Sequence, residues 1–221
     1  IGMQIKVCGL REPENILKVA QLPVDWLGFI FYANSPRAVK PKLAQWLEEQ
    51  QETLSRKKRV GVFVNAEIEE VLNAVHDFQL DLVQLHGEES PEYCQLIRNL
   101  METTSMRKAQ LMKAFQVGDV FDFNRVYPYA AHCAYVLFDT KGKNYGGNGE
   151  QFNWELLQQY QGVTPFFLSG GIGPEDAAGV LAFRHPQLYG IDLNSKFETA
   201  PGVKDPEQLK LFLETLKKDT L

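Results

Sequence analysis

The chain has no run of about 18 apolar residues, which argues against a membrane-spanning helix and against a membrane partner. No basic stretch leading into an apolar run opens it, so no secretory signal is expected. Basic residues are outnumbered 23 to 28, for a net charge of −5. A sequence-independent nucleic-acid binder needs a basic face, so no nucleic acid is expected as partner. Cysteine is scarce: Cys8, Cys94 and Cys133 are widely spaced and odd in number. That fits neither a disulfide framework nor a zinc site, and it points to a reducing, cytoplasmic compartment with no bound metal. Linkers, low-complexity tracts and composition shifts are missing too, so one domain spanning residues 3–221 is expected.

What is present is an ordinary apolar fraction, 44%, distributed in a repeating pattern. Short runs rich in β-branched and aromatic residues recur at 3–8, 25–31, 59–64, 82–85, 109–115, 134–138, 164–168 and 187–191. They are near-continuous rather than alternating, as strands buried on both faces should be. Amphipathic segments with helix start signals lie between them. Residues 41–55 follow this pattern, and 66–78 carry Ile68, Val71, Leu72 and Val75 on one face. Ser90-Pro91-Glu92, Pro174-Glu175-Asp176 and Asp205-Pro206-Glu207 each open a further helix. The fifth crossover, 117–128, has the poorest helical pattern, broken by Phe121, Phe123, Tyr127 and Pro128. Strict alternation of strand and crossover demands a parallel sheet, and eight units favour closure. The predicted fold is an α/β protein, a single-domain (β/α)8 TIM barrel. Phe29, Phe31 and Phe115 are expected to fill the barrel, with Trp26, Trp46 and Trp154 in the core or on helix faces.

Active sites of such barrels lie at the C-terminal strand ends, so the polar residues there are the candidates. Ser169-Gly170-Gly171-Ile172-Gly173 follows strand 7, and Asn194-Ser195 after strand 8 can begin a short extra helix. Together these make the phosphate site frequent in this fold, with backbone N–H groups holding the anion on an acidic protein. The other reading of the glycines is a plain tight turn. Cys8 ends strand 1 and Asp139 ends strand 6, three places away around the ring, so they face each other across the mouth. A thiolate and a carboxylic acid so placed suit proton transfer within a bound substrate, with Lys6 or Arg11 near enough to favour the thiolate. Alone, a cysteine there reads first as a small buried apolar side chain, and Asp139 is equally a loop cap or salt-bridge partner. Arg37 is either a carboxylate clamp or an exposed arginine, and His86 reads as a structural histidine rather than a base. Residues 141–149 (KGKNYGGNG) form either a flap over the mouth or a plain turn.

The motifs occur in a telling order: Lys6-Val7-Cys8-Gly9-Leu10-Arg11, Asn34-Ser35-Pro36-Arg37, Gln84-Leu85-His86-Gly87, Phe138-Asp139-Thr140, Gly146-Gly147-Asn148-Gly149 with Phe152-Asn153-Trp154, Ser169-Gly170-Gly171-Ile172 and Asp192-Leu193-Asn194-Ser195. Taken together they resemble the phosphoribosylanthranilate isomerase family of tryptophan biosynthesis, over nearly the whole chain. The resemblance implies an Amadori rearrangement of a small phosphorylated substrate, without metal or organic cofactor, by a monomer or a homodimer. It implies that Asp139 is the general acid and Cys8 the general base. It further implies that Arg37 faces the anthranilate carboxylate, that Asp192 supports the anthranilate end, and that backbone groups of Gly170, Gly171, Asn194 and Ser195 receive the phosphate. Asn148 and Asn153 depart from the G-G-T-G and F-D-W usual in the flap, and Lys196 and Phe197 from the Gly and small apolar residue usual after the strand-8 pair. Two rivals share the barrel. A sugar-phosphate isomerase of histidine biosynthesis carries Asp where this chain has Cys8, and indole-glycerol-phosphate synthase needs a Lys and Glu set not found here. A non-catalytic phosphate-binding barrel would need no facing acid and base.

Overall fold

The computed structural model describes residues 2–104, 107–142 and 149–218. Eight parallel strands close into a barrel in sequence order: β1 (Gln4–Val7), β2 (Trp26–Ile30), β3 (Lys58–Phe63), β4 (Leu82–Leu85), β5 (Gln110–Val117), β6 (Tyr135–Thr140), β7 (Phe166–Leu168) and β8 (Leu188–Leu193). Closure is made by β1 against β8, with Lys6 opposite Asp192 and Val7 opposite Leu193.

The connecting helices follow their local signals. Pro13 opens α1 (Pro13–Ala20), which buries Ile16 and Val19. Ser90 caps α4 (Pro91–Thr103), its side chain accepting from the Tyr93 N–H. Helix α3 (Ile68–Asp77) buries Val71, Ala74 and Val75, and α6 (Pro206–Lys218) buries Leu209, Phe212, Leu213 and Leu216. Helix α2 is shorter than the 41–55 expected, ending at Glu49 (Leu43–Glu49), because Leu54 alone of the following turn reaches the core. Helix α5 (Ala177–Ala182) continues a 3-10 turn at Pro174–Asp176. The fifth crossover indeed lacks an α-helix and runs through 3-10 turns at Phe123–Arg125 and Tyr127–Tyr129. The sixth is likewise a 3-10 segment, Trp154–Gln159. A small antiparallel hairpin, β9 (Glu198–Ala200) with β10 (Val203–Lys204), is inserted between β8 and α6. Strands of three and two residues are too short to announce themselves by periodicity.

Two apolar layers hold the fold. The larger lies between strands and helices; the smaller is the barrel interior, where Trp26, Val60, Leu82, Met112, Ala114, Leu137 and Phe167 meet. The aromatic assignment therefore needs correction. Phe29 and Phe115 belong to the outer layer, and Phe31 stacks on Phe63 against it, while Trp26 and Phe167 plug the barrel. Strands buried on both faces are apolar on both, so the pattern does not mark the inside. Along the same inward-facing rows, above the plug, the side chains turn polar: Lys6, Gln84, His86, Asp139, Ser169 and Asp192 are all buried there. Cys94 and Cys133, far apart in sequence, are buried neighbours, both as free thiols. No helix among the described residues is long and apolar enough to cross a membrane.

Candidate active site

The polar rows open into a cavity of ≈ 420 Å³ at the C-terminal mouth of the barrel. Cys8, Arg37, Asp139, Gly170, Gly171, Asp192, Asn194 and Ser195 all line it. The eight candidates, scattered over 188 residues of sequence from 8 to 195, thus share one site.

Cys8 sits where β1 ends, its N–H bonded to the Leu193 carbonyl at 2.9 Å. Burial pushes its thiol above the ordinary value; Lys6 and Lys204 oppose this, and Asp192 adds to it. Lys6, two residues earlier on the same inward row, is wholly buried and ion-paired to Asp192 at 3.0 Å. Burial would lower its pKa, but Asp192 and Cys8 together raise it, so the ammonium stays charged. Asp192 also accepts from Ser169 Oγ at 3.3 Å, so its carboxylate is committed to neighbours within the wall.

Across the mouth, Asp139 Oδ1 accepts from the Thr140 N–H at 2.9 Å, and Oδ2 lies 3.1 Å from His86 Nε2. His86 Nδ1 is 2.8 Å from Gln84 Nε2. The histidine read as structural is therefore in direct contact with the candidate acid.

The loop after β7 is shaped by its glycines. Gly170 and Gly171 have φ of +95° and +69°, where a side chain is strained. A Cβ on Gly170 would also collide with the Thr140 side chain, and one on Gly171 would come within 2.6 Å of the Glu150 carbonyl. After β8 the expected short helix is present as a 3-10 turn, Ser195–Phe197. Among the described residues, the N–H groups of Gly170, Gly171, Asn194 and Ser195 make no hydrogen bond. Backbone donors gathered on one cavity wall suit a phosphate. Among the described residues, no three His, Cys, Asp or Glu side chains are grouped to hold a metal ion.

Arg37 reaches the cavity rim, but its guanidinium is already engaged by Glu198, through three contacts of 2.6 to 3.1 Å. Neither Glu198 nor its partner Lys204 stands out in the sequence, since both lie in the short hairpin. Most of the proposed flap, residues 143–148 with Asn148, lies outside the described residues. Asn153 caps the following 3-10 segment, accepting from the Glu155 N–H at 3.1 Å, a role Asp would fill equally. Phe197 is buried against Phe212 of α6, ring centroids 5.1 Å apart, which explains a large residue there.

The sequence matches, over residues 5–215, the family described as N-(5'phosphoribosyl)anthranilate (PRA) isomerase. The chain belongs to that family. It is 47% identical over 97% of its length to an N-(5'-phosphoribosyl)anthranilate isomerase of Parabacteroides distasonis, covering 93% of that protein. Among solved structures, phosphoribosyl anthranilate isomerase from Thermotoga maritima superposes with a TM-score of 0.83 at 32% identity, covering 98% of this chain and 100% of that one. A further phosphoribosyl anthranilate isomerase structure, at TM-score 0.80 and 30% identity, covers 98% of this chain and 100% of that one. It was solved in complex with reduced 1-(o-carboxyphenylamino)-1-deoxyribulose 5-phosphate. For a member of this family, the joint cavity of Cys8, Asp139 and the glycine loop is the place to look for chemistry.

Proposed function

We propose that this isomerase acts in tryptophan biosynthesis, converting N-(5′-phosphoribosyl)anthranilate to 1-(2-carboxyphenylamino)-1-deoxyribulose 5-phosphate, with Cys8 and Asp139 as the proton-transfer pair. The observation that carries this reading is their convergence on one cavity whose other wall offers unbonded backbone N–H groups. Asp139 gives its proton to the furanose ring oxygen, and the C1′–O bond breaks as the anilino nitrogen supplies electrons, leaving an open-chain iminium. Cys8 then takes the C2′ proton, and the C–H electron pair moves to form the enolamine. Tautomerisation yields the ketone. One proton enters at oxygen and one leaves at carbon, so substrate and product are isomers and no electrons are exchanged with the surroundings.

The wall supports these roles. His86 holds Asp139 from one side and the Thr140 N–H from the other, which fixes the carboxyl toward the cavity. The Lys6 ammonium beside Cys8 favours the thiolate electrostatically against its burial. Phosphate is received by the backbone of Gly170, Gly171, Asn194 and Ser195, and the anthranilate carboxylate by Arg37. Asp192 holds Lys6 under Cys8 and so borders the anthranilate end. The test is direct: the purified chain should abolish the fluorescence of phosphoribosylanthranilate, and no loss at saturating enzyme would refute the assignment.

A further inference from the structure

Glu198 belongs neither to the proton-transfer pair nor to the phosphate loops, yet two basic side chains, Arg37 and Lys204, converge on it. Its side chain is 5% exposed. Oε1 accepts from Arg37 Nη2 at 2.6 Å and from Nε at 3.1 Å. Oε2 accepts from Arg37 Nε at 3.0 Å, from Lys204 Nζ at 2.7 Å and from the Gly202 N–H at 2.9 Å. Burial alone would raise the Glu198 carboxyl, but these donors hold it below the ordinary glutamate range, so it is a carboxylate at neutral pH.

The support beneath it is rigid. Lys204 Nζ also donates to Asn194 Oδ1 at 2.7 Å. The Lys204 backbone is clamped by Asn15 of α1, donating to Asn15 Oδ1 at 2.8 Å and accepting from Asn15 Nδ2 at 2.9 Å. Gly9, directly after Cys8, has φ of +79°, and a Cβ there would lie 2.8 Å from Arg37 Cδ and 2.7 Å from Asn194 Oδ1. The turn leaving the catalytic strand is thus pressed against the same cluster.

Glu198 occupies only one edge of the Arg37 fork, the edge formed by Nε and Nη2. The edge formed by Nη1 and the second Nη2 hydrogen faces elsewhere, and Nη1 makes no hydrogen bond among the described residues. A guanidinium carries five donors and can hold one carboxylate on each edge.

We propose that Glu198 is a positioning and specificity-determining residue: by holding the inner edge of Arg37, it presents the outer edge to the carboxylate on the substrate's aromatic ring. The enzyme thereby selects the carboxylated substrate over one lacking that group. This rests on the reading above that Arg37 receives the carboxylate. Immobilising a long side chain before the ligand arrives removes an ordering cost from binding.

The test compares two inhibitors: reduced 1-(o-carboxyphenylamino)-1-deoxyribulose 5-phosphate, and the same compound without the carboxyl group. The wild-type protein should prefer the carboxylated one by about tenfold to a hundredfold, the scale of a charge-assisted pair. Arg37→Ala should erase that preference. Glu198→Ala should cut it by at least about fivefold, raising KM while kcat and affinity for the carboxyl-free compound stay within about twofold. Glu198→Gln, with the same shape and one acceptor oxygen, should fall between. The double variant should match Arg37→Ala alone. An undiminished preference in Glu198→Gln overturns the proposal, and this variant decides the matter if the alanine variant does not fold. Equal weakening of both inhibitors in Glu198→Ala also overturns it, since that marks a merely structural role. A preference that survives Arg37→Ala refutes instead the placement of the carboxylate at Arg37, and the role of Glu198 falls with it.

Discussion

His86 Nε2 lies 3.1 Å from Asp139 Oδ2, joining the ends of β4 and β6 through two buried side chains. Gln84, two residues back on the same inward row, contacts the other ring nitrogen of the histidine at 2.8 Å. The carboxyl proposed to protonate the sugar is thus oriented by a relay of neighbours and left facing the cavity.

Removing that relay should slow the chemistry more than binding. His86→Ala is expected to lower kcat by about tenfold to a hundredfold with little change in KM, because a buried carboxyl loses a hydrogen bond that aims it. Steady-state kinetics on the purified variant read this out. A change confined to KM would place His86 in substrate binding instead.

Cys8→Ala and Asp139→Asn should each cost at least about a hundredfold in turnover, the range for a positioned acid or base. Both should still bind the reduced product analogue, since phosphate is held by backbone donors elsewhere on the wall. Full activity in Cys8→Ala would dismiss the proton-transfer pair.

The pH dependence has a definite sign. Burial raises the Cys8 thiol above its ordinary 9.0, so only a small fraction is thiolate near neutrality. In Asp139→Asn, whose residual turnover needs no carboxyl proton, kcat/KM should rise about tenfold per pH unit while pH remains below that pKa if the thiolate is the base. The Lys6 pKa is also raised, so its ammonium persists through the same interval and does not confuse the profile. A flat profile from neutral to alkaline pH in that variant would argue that Cys8 does not act as a thiolate.

Lys6 and Asp192 form a buried pair bridging the seam where the barrel closes, with side chains 0% and 6% exposed. Lys6→Met should leave Asp192 as an unpaired buried anion and destabilise the fold by about 3–5 kcal/mol. Replacing both, as Lys6→Met with Asp192→Leu, should recover much of that loss. Denaturant unfolding monitored by circular dichroism distinguishes the two variants, and a single variant as stable as the wild type would contradict the account.

Much of this molecule is legible along the chain. Strand number and order follow from recurring β-branched runs, each long enough to cross the barrel wall and each separated by an amphipathic or irregular crossover. Cys8, Asp139, Gly170 and Gly171 are readable as candidates because each immediately follows or ends such a run, where this architecture puts its chemistry. Helix starts at Ser90 and Pro206 are local matters of backbone geometry and capping, and so are written locally.

Folding in three dimensions settled the remainder. Which aromatics fill the barrel could not be read, because a strand buried on both sides is apolar on both; the plug proved to be Trp26 and Phe167 rather than Phe29 and Phe115. The partnerships that tune the site span 53 residues for His86 with Asp139, 161 for Arg37 with Glu198 and 186 for Lys6 with Asp192. No local pattern encodes such pairs. They exist because the closed barrel gathers strand ends distant in sequence around one mouth, and burial then obliges each charge to find its complement.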